Sequence, residues 1–271
     1  MEGLALLAIM LFSFGHELAR AQSATANHAR IELLSEESSF RPGQTLWVGL
    51  FFQLDSGWHI YWQNPGDSGE PPTVQWALPK GFRAGAIRWP VPIRLGSKTV
   101  VDYGYEGQVL LMLPVQTPPN SSAARTSIGA TVRYLVCREI CIPARAQASL
   151  DIPVAKDTAT HFSVSRELFQ KTRALFPRAA PSAWKISVAS HRDEFIISVE
   201  GGSASPTALF LPLDSDVIEN SKPQTVESTR HGFSITLQKS TLLEKPVSTL
   251  RGVLVLEPGL AYRVAVPVLP R

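Results

Sequence analysis

The chain has 271 residues, which is enough for one large domain or two small ones with real cores. Hydrophobic residues make up 44% of it and charged residues 18%, an ordinary balance for a folded globular protein. The formal net charge is only +3 and the arginines are scattered, which argues against a dedicated nucleic-acid binder.

The N-terminus has the layout of a secretory signal peptide. An apolar run at residues 4–14 precedes a small-x-small site, Ala-Arg-Ala, at residues 19–21. Glu2 stands where a basic residue is usual, so a short N-terminal anchor or a misassigned start is the alternative. We predict a signal peptide over residues 1–21, cleaved after Ala21, and an exported, periplasmic mature chain without a transmembrane segment, in which a disulfide can persist.

The first half of the remaining chain has the periodicity of β-strands. Segments rich in Val, Leu, Ile and aromatic residues end at Gly, Pro or Asn turn signals. They lie at residues 44–54, 108–115, 128–137 and 146–154. The chain has 21 prolines, too many for a helical protein and suited to edge strands and loops. We therefore predict a β-sandwich domain over residues 29–156.

A single helix and a second β-domain are predicted next. Residues 161–177 carry apolar side chains near helical spacing and end in Pro177, which indicates one amphipathic helix within a linking segment at residues 157–180. Strand patterns then resume and predict a second, smaller β-sandwich over residues 181–271. These strands are predicted at residues 184–191, 194–201, 207–213, 233–238, 251–257 and 261–268. The predicted fold class is mostly β.

Both cysteines of the chain lie in the stretch YLVCREICIPA. Cys137 ends an apolar strand and Cys141 opens the next, with a three-residue hairpin connection between them. Facing residues of antiparallel strands have Cα atoms about 4.5–5.5 Å apart, and a disulfide needs about 4.4–6.8 Å. The two sulfurs are therefore able to bond across the mouth of the hairpin.

Residue types alone leave the role of this pair open. A structural staple is the usual role in an exported protein, but a loop this small restricts the unfolded chain little. A redox couple needs one thiolate to attack a partner sulfur and a second thiol to resolve the mixed disulfide. Arg138 would favour the thiolate and Glu139 would oppose it. A zinc or copper site lacks ligands close in sequence, since His59 approaches only through the fold.

A second dense stretch, GWHIYWQNPGDSGEPP, occupies residues 57–72. It predicts a strand that ends in a structured loop, with Trp58, Ile60 and Trp62 facing one side. A sugar-binding aromatic platform has no further support. We expect His59 to be a packed, hydrogen-bonded residue rather than a ligand.

Four motifs occur in an order that resembles a known family. They are residues 57–72, WPVPIRL at 89–95, DYGYEGQVLLMLPV at 102–115 and the cysteine stretch at 134–144. Residues 30–154 resemble the N-terminal periplasmic domain of the thiol:disulfide interchange protein DsbD, in the branch that includes the copper-sensitivity suppressor ScsB. The second β-domain is similar to an extra extracytoplasmic segment of that branch.

The resemblance implies a fold and a site. The first domain would be an immunoglobulin-like sandwich whose Cys137 and Cys141 cycle between dithiol and disulfide. Cys141 would form the mixed disulfide with partners and Cys137 would resolve it. The stretch VDYGYEG would be a cap loop, with Tyr103 or Tyr105 as the lid and Asp102 and Glu106 as acidic neighbours that tune proton transfer. The disulfide itself is the redox group, so no other cofactor and no metal are expected.

The resemblance also implies partners. These are periplasmic thioredoxin-like proteins or disulfide isomerases, including the thioredoxin of cytochrome c biogenesis. The sequence contains no membrane conduit, so we expect a separate membrane protein to supply electrons. The predicted function is an exported thiol–disulfide exchange protein, and whether it is itself a protein-disulfide reductase or a component of one is left open. The alternative is a non-enzymatic binding module, or a copper-handling module in copper tolerance, with a structural disulfide. The C-x3-C spacing is shorter than in the best-known family member.

Overall fold

The structure is a computed structural model that describes residues 20–270 apart from residues 97–98, 122, 156–158, 204 and 206. Residues 1–19 of the predicted signal peptide lie outside the described residues, while Arg20 and Ala21 begin the first strand. Within the described part of the chain, no helix has the length and apolarity needed to cross a membrane.

The N-terminal sandwich is immunoglobulin-like and consists of the strands β1 to β11. They are β1 (Arg20–Ala26), β2 (Ala29–Ser35), β3 (Thr45–Leu54), β4 (His59–Gly66), β5 (Thr73–Ala77), β6 (Arg83–Ala84), β7 (Ile93–Gly96), β8 (Val101–Glu106), β9 (Gln108–Gln116), β10 (Arg125–Cys137) and β11 (Cys141–Pro153). Their order is β6-β9-β3-β2-β1-β11-β10-β4-β8-β7, with β5 beside β10. β1 pairs first with β11 and then with β2, so it joins the two layers.

Alternating side chains of the two layers form the core. On β3, Leu46, Val48 and Leu50 are at most 1% exposed, and on β10 every second residue from Ile128 to Val136 is also buried. β9 departs from alternation because its outer face is also covered. Leu110 and Met112 on that face pack against the helix.

The helix α1 (Arg166–Ala174) is shorter than the predicted span of residues 161–177. The predicted N-terminal end was wrong because the backbone before it pairs elsewhere. The Ser38 amide donates to His161 and the Ser163 amide donates to Glu36. The helix is fixed to the sandwich by Phe169, which is fully buried, and by a bond of 2.6 Å from Arg173 to the Glu36 carboxylate.

The C-terminal sandwich is the second, smaller β-unit. It contains β12 (Arg178–Ala179), β13 (Lys185–His191), β14 (Glu194–Glu200), β15 (Leu209–Pro212), β16 (Thr225–Thr229), β17 (Gly232–Gln238), β18 (Thr249–Glu257) and β19 (Leu260–Pro270). Their order is β15-β18-β19-β13-β14-β17-β16, with β12 beside β19. The mostly β fold class, the linking helix and the second sandwich are confirmed; the domain limits at residues 29–156, 157–180 and 181–271 stay a prediction.

The two sandwiches share apolar packing. Leu211 on β15, Val253 on β18 and Ala261 on β19 belong to the same buried cluster as the N-terminal core. A bulge in β4 also contacts the C-terminal sandwich. β4 pairs with β8 at Tyr61↔Gly104 and next at Gly66↔Asp102, so residues 62–65 protrude from the ladder.

Candidate functional site

The two cysteines lie at the closed end of the longest hairpin. β10 and β11 pair continuously from Arg125↔Pro153 to Cys137↔Cys141, and the Arg138 amide donates to the Ile140 carbonyl in the connection. The predicted three-residue hairpin is confirmed. A disulfide joins Cys137 to Cys141, whose Cα atoms are 4.1 Å apart. This is near the spacing of about 4.5 Å for a non-hydrogen-bonded antiparallel pair.

The two sulfur-bearing residues differ sharply in exposure. Cys137 is 2% exposed, whereas Cys141 is exposed to solvent. The strand order explains the difference, since β10 lies between β11 and β4 and Cys137 pairs with His59 on its second side. β11 meets its other neighbour, β1, only from Ser149 onward among the described pairs. An attacking group therefore reaches Cys141 first.

Tyr61 is the aromatic residue that contacts the disulfide. Its hydroxyl donates to Cys137 Sγ at 3.1 Å and lies 3.3 Å from Cys141 Sγ. Strand alternation puts it there: Trp58, Ile60 and Trp62 enter the core as predicted, so Tyr61 faces the opposite way. We did not single out Tyr61 from sequence, although the same alternation was the signal that could have found it.

The loop after β4 holds the Tyr61 ring in place. Gly69, at φ +74°, lies so close that a Cβ on it would be 2.1 Å from Tyr61 Cζ. Burial raises the pKa of Tyr61, and the neighbouring Ser68 hydroxyl partly opposes that rise. The phenol therefore stays protonated at neutral pH and remains a hydrogen-bond donor.

His59 lies between the cysteine pair and the acidic residues. It pairs with Cys137 on one side and Glu106 on the other, and its ring packs edge-on against Tyr61 at 5.3 Å. Burial lowers its pKa, against the opposing charges of Asp102 and Glu106, so the ring is neutral at neutral pH. The expectation of a packed residue is confirmed, but its Nε2 has no hydrogen-bond partner among the described residues.

The stretch predicted as a cap loop is the strand β8, paired with β4 and β7. The Tyr103 hydroxyl donates to Asn220 Oδ1 at 2.8 Å, and the Tyr105 hydroxyl donates to the Pro90 carbonyl at 2.7 Å. Burial raises the pKa of both tyrosines. A cap role for these two residues stays a prediction.

The two acidic residues of this stretch differ. Asp102 is 6% exposed and accepts from the Ser68 amide at 2.9 Å and the Ser68 hydroxyl at 2.9 Å. Burial raises its pKa, although the Ser68 bonds lower it. Glu106 is exposed at the end of β8, opposite His59.

The Arg138 side chain of the hairpin tip packs on an aromatic ring. The Arg138 guanidinium lies over the Trp58 ring, 5.3 Å from its centroid. His28 stacks on the same ring at 3.9 Å. In the described part of the structure, no three His, Cys, Asp or Glu side chains are grouped to hold a metal ion.

An accessible disulfide at the end of an immunoglobulin-like sandwich, beside a phenol donor, is the kind of site that thiol–disulfide exchange uses. The family model described as thiol:disulfide interchange protein DsbD, N-terminal, matches residues 30–153. These residues are therefore a DsbD N-terminal-like domain, which confirms the resemblance. Together with the disulfide, the match supports thiol–disulfide exchange in general terms.

Solved structures extend the likeness over both sandwiches. The N-terminal periplasmic domain of ScsB from Proteus mirabilis aligns with a TM-score of 0.64 at 16% identity, covering 91% of this chain and 96% of that one. At this identity the likeness is one of fold. The periplasmic chaperone SfaE aligns at 9% identity over 88% of this chain and 100% of that one, but its TM-score of 0.23 carries no inference. No curated protein matches the chain.

Proposed function

We propose that the chain is an exported thiol–disulfide exchange protein that relays reducing equivalents through Cys137 and Cys141. The observation that carries the proposal is the asymmetry of the bonded pair. Cys141 is exposed, while Cys137 is 2% exposed and receives the Tyr61 hydrogen bond. Cys141 therefore forms the mixed disulfide with a partner, and Cys137 resolves it.

The exchange moves two electrons in two steps. A partner thiolate attacks Cys141 Sγ, forms a mixed disulfide and releases Cys137 as a thiolate. The second partner thiolate then attacks the partner sulfur of that mixed disulfide, which releases Cys141 and leaves the partner oxidised. The reverse sequence passes the electrons on to an oxidised partner.

Tyr61 gives the buried Cys137 a donor when it carries negative charge. A buried thiolate without a donor would be costly, and a hydrogen bond to a charged group contributes about 1.5–3 kcal/mol. Because burial raises the pKa of Tyr61, the hydroxyl keeps its proton and donates it as a hydrogen bond rather than transferring it. Arg138, over Trp58, supplies a nearby positive charge at the hairpin.

The partners we propose are periplasmic thioredoxin-like proteins or disulfide isomerases, with a membrane protein as electron source. The family match and the periplasmic origin of the ScsB domain support this assignment. Ile140 adds a surface for docking, since it is 67% exposed at the hairpin tip beside Cys141. The signal peptide at residues 1–21 and the periplasmic location are part of the same proposal.

Trapping the mixed disulfide tests the proposal. Cys137→Ser, mixed with an oxidised thioredoxin-like protein, should accumulate a mixed disulfide through Cys141, and Cys141→Ser should accumulate far less because Cys137 is buried. The proposal fails if neither variant is trapped and a reduced thioredoxin-like protein leaves the Cys137–Cys141 disulfide intact over hours. Copper(I) binding that is lost in Cys137→Ser would support the copper-handling alternative instead.

A further inference from the structure

We propose that the C-terminal sandwich controls the reactivity of the disulfide. It does so through the hydrogen bonds of Asn220 to the N-terminal sandwich, here called the asparagine latch, which keep Tyr61 in position. Asn220 is the positioning residue of this latch. It lies in the C-terminal sandwich, is 7% exposed and bonds to the loop that supports the Tyr61 ring. The inference rests on the proposed function, because it concerns how readily this pair exchanges.

Asn220 makes three contacts with the N-terminal sandwich. Its Nδ2 donates to Asp67 Oδ1 at 2.7 Å, its Oδ1 accepts from the Tyr103 hydroxyl at 2.8 Å, and its carbonyl accepts from Arg94. The amide thus has a donor and an acceptor function in use at once. A buried amide that is paired at both its nitrogen and its oxygen fixes the position of its partners.

A second asparagine belongs to the N-terminal sandwich and bonds to the C-terminal one. Asn64, in the β4 bulge, is 2% exposed, and its Nδ2 donates to the Pro212 carbonyl at 2.9 Å. Its Oδ1 accepts from the Gly66 amide at 3.1 Å. The loop at residues 64–69 is therefore anchored to the C-terminal sandwich at Asn64 and again at Asp67.

The anchored loop reaches the disulfide in two further steps. Asp67 also accepts from the Val101 amide at 2.7 Å, which fixes the loop against β8. The next residue, Ser68, bonds to Asp102, and Gly69 lies directly on the Tyr61 ring. Because Tyr61 donates to Cys137 Sγ, a displacement of the loop changes the hydrogen bond that stabilises the leaving thiolate.

A charge swap tests the latch without removing the side chains. Asn220→Asp places a second carboxylate beside Asp67, and two ionised carboxylates at this distance repel each other. Adding Asp67→Asn to that variant restores three side-chain bonds. They are the bond between positions 67 and 220, the bond from the Tyr103 hydroxyl to position 220 and the bond from the Val101 amide to position 67. The new amide at position 67 would donate to the new carboxylate at position 220 while still accepting from the Val101 amide. The readout is the rate at which dithiothreitol reduces the Cys137–Cys141 disulfide at neutral pH, which requires no protein partner.

We expect Asn220→Asp to slow reduction about three- to tenfold, and the double variant to recover the original rate. In a Tyr61→Phe background, Asn220→Asp should have no further effect, because the latch acts through the Tyr61 hydroxyl. Val255→Ala, which weakens the apolar packing between the sandwiches away from the loop, is the matched control and should leave the rate unchanged.

Two results would overturn the latch. One is a folded Asn220→Asp protein that is reduced at the original rate, and the other is an Asn220→Asp effect of undiminished size in the Tyr61→Phe background. If Asn220→Asp does not fold, Asn220→Ala, which removes both side-chain bonds of Asn220 without adding charge, is measured in its place. A chain that exchanges with no protein partner would contradict the proposed function, while this small-thiol measurement would still decide on the latch.

Discussion

Tyr61→Phe removes a hydroxyl that contacts both sulfurs. The ring and its packing against Gly69 remain, but the donor at 3.1 Å from Cys137 Sγ is lost. Losing about 1.4 kcal/mol of stabilisation of the departing thiolate slows its release about tenfold, so we expect reduction by dithiothreitol to fall by that factor. Tyr105→Phe is the control, because its hydroxyl donates to the Pro90 carbonyl. Equal slowing in both variants would contradict a specific role for Tyr61.

Asp102 makes the free energy of unfolding depend on pH. Burial raises its pKa above the ordinary value of 3.8, so the folded state binds the proton more tightly than the unfolded state. The stability that this group contributes is therefore fully present below 3.8 and is lost as pH rises through the higher folded-state value. We expect the free energy of unfolding of the native protein to fall relative to Asp102→Asn as pH rises from below 3.8 to neutral. Urea unfolding across this range measures it, and a relative rise would contradict it.

The tip of the β10–β11 hairpin is expected to contact a docked partner. Ile140 is 67% exposed and next to Cys141, so it is placed to contact a docked partner while leaving the chemistry of the disulfide alone. Ile140→Ser should slow exchange with a reduced thioredoxin-like protein about tenfold, as expected for an interface residue that contributes more than about 1 kcal/mol. Reduction by dithiothreitol should not change. Leu242→Ser, at 68% exposure in the C-terminal sandwich, is the control, and an equal effect there would argue against docking at the tip.

Elements whose side chains alternate were predictable from sequence, and contacts between distant elements were not. The cysteine hairpin and the inward face of β4 follow from period-two patterns. The strand β8 was expected to be a cap loop because the stretch VDYGYEG resembles the family's cap, and no local pattern was used for that expectation. Gly104 lies inside this strand because of packing. A Cβ there would lie 2.2 Å from the Ile60 carbonyl oxygen, and glycine permits this close approach of two strands. The Asn64 and Asn220 contacts join residues far apart in sequence, where no local pattern reports them.

At the scale of the whole molecule, the shared core predicts that the two sandwiches unfold together. Leu211 lies on β15 of the C-terminal sandwich, is 1% exposed and belongs to the buried cluster of the N-terminal sandwich. Leu211→Ala should lower the free energy of unfolding by about 2–5 kcal/mol, the range for a buried leucine that leaves a cavity.

The coupling between the sandwiches has its own readout in that variant. As urea rises, the disulfide of the N-terminal sandwich should become rapidly reducible at the same concentration at which the strand signal in circular dichroism is lost. Leu242→Ala, at an exposed position of the same sandwich, should leave both transitions where they are in the native protein. If Leu211→Ala loses part of its strand signal while the disulfide stays protected, the sandwiches unfold separately. The packing around Leu211 favours a single transition, because its loss exposes apolar side chains of both sandwiches at once.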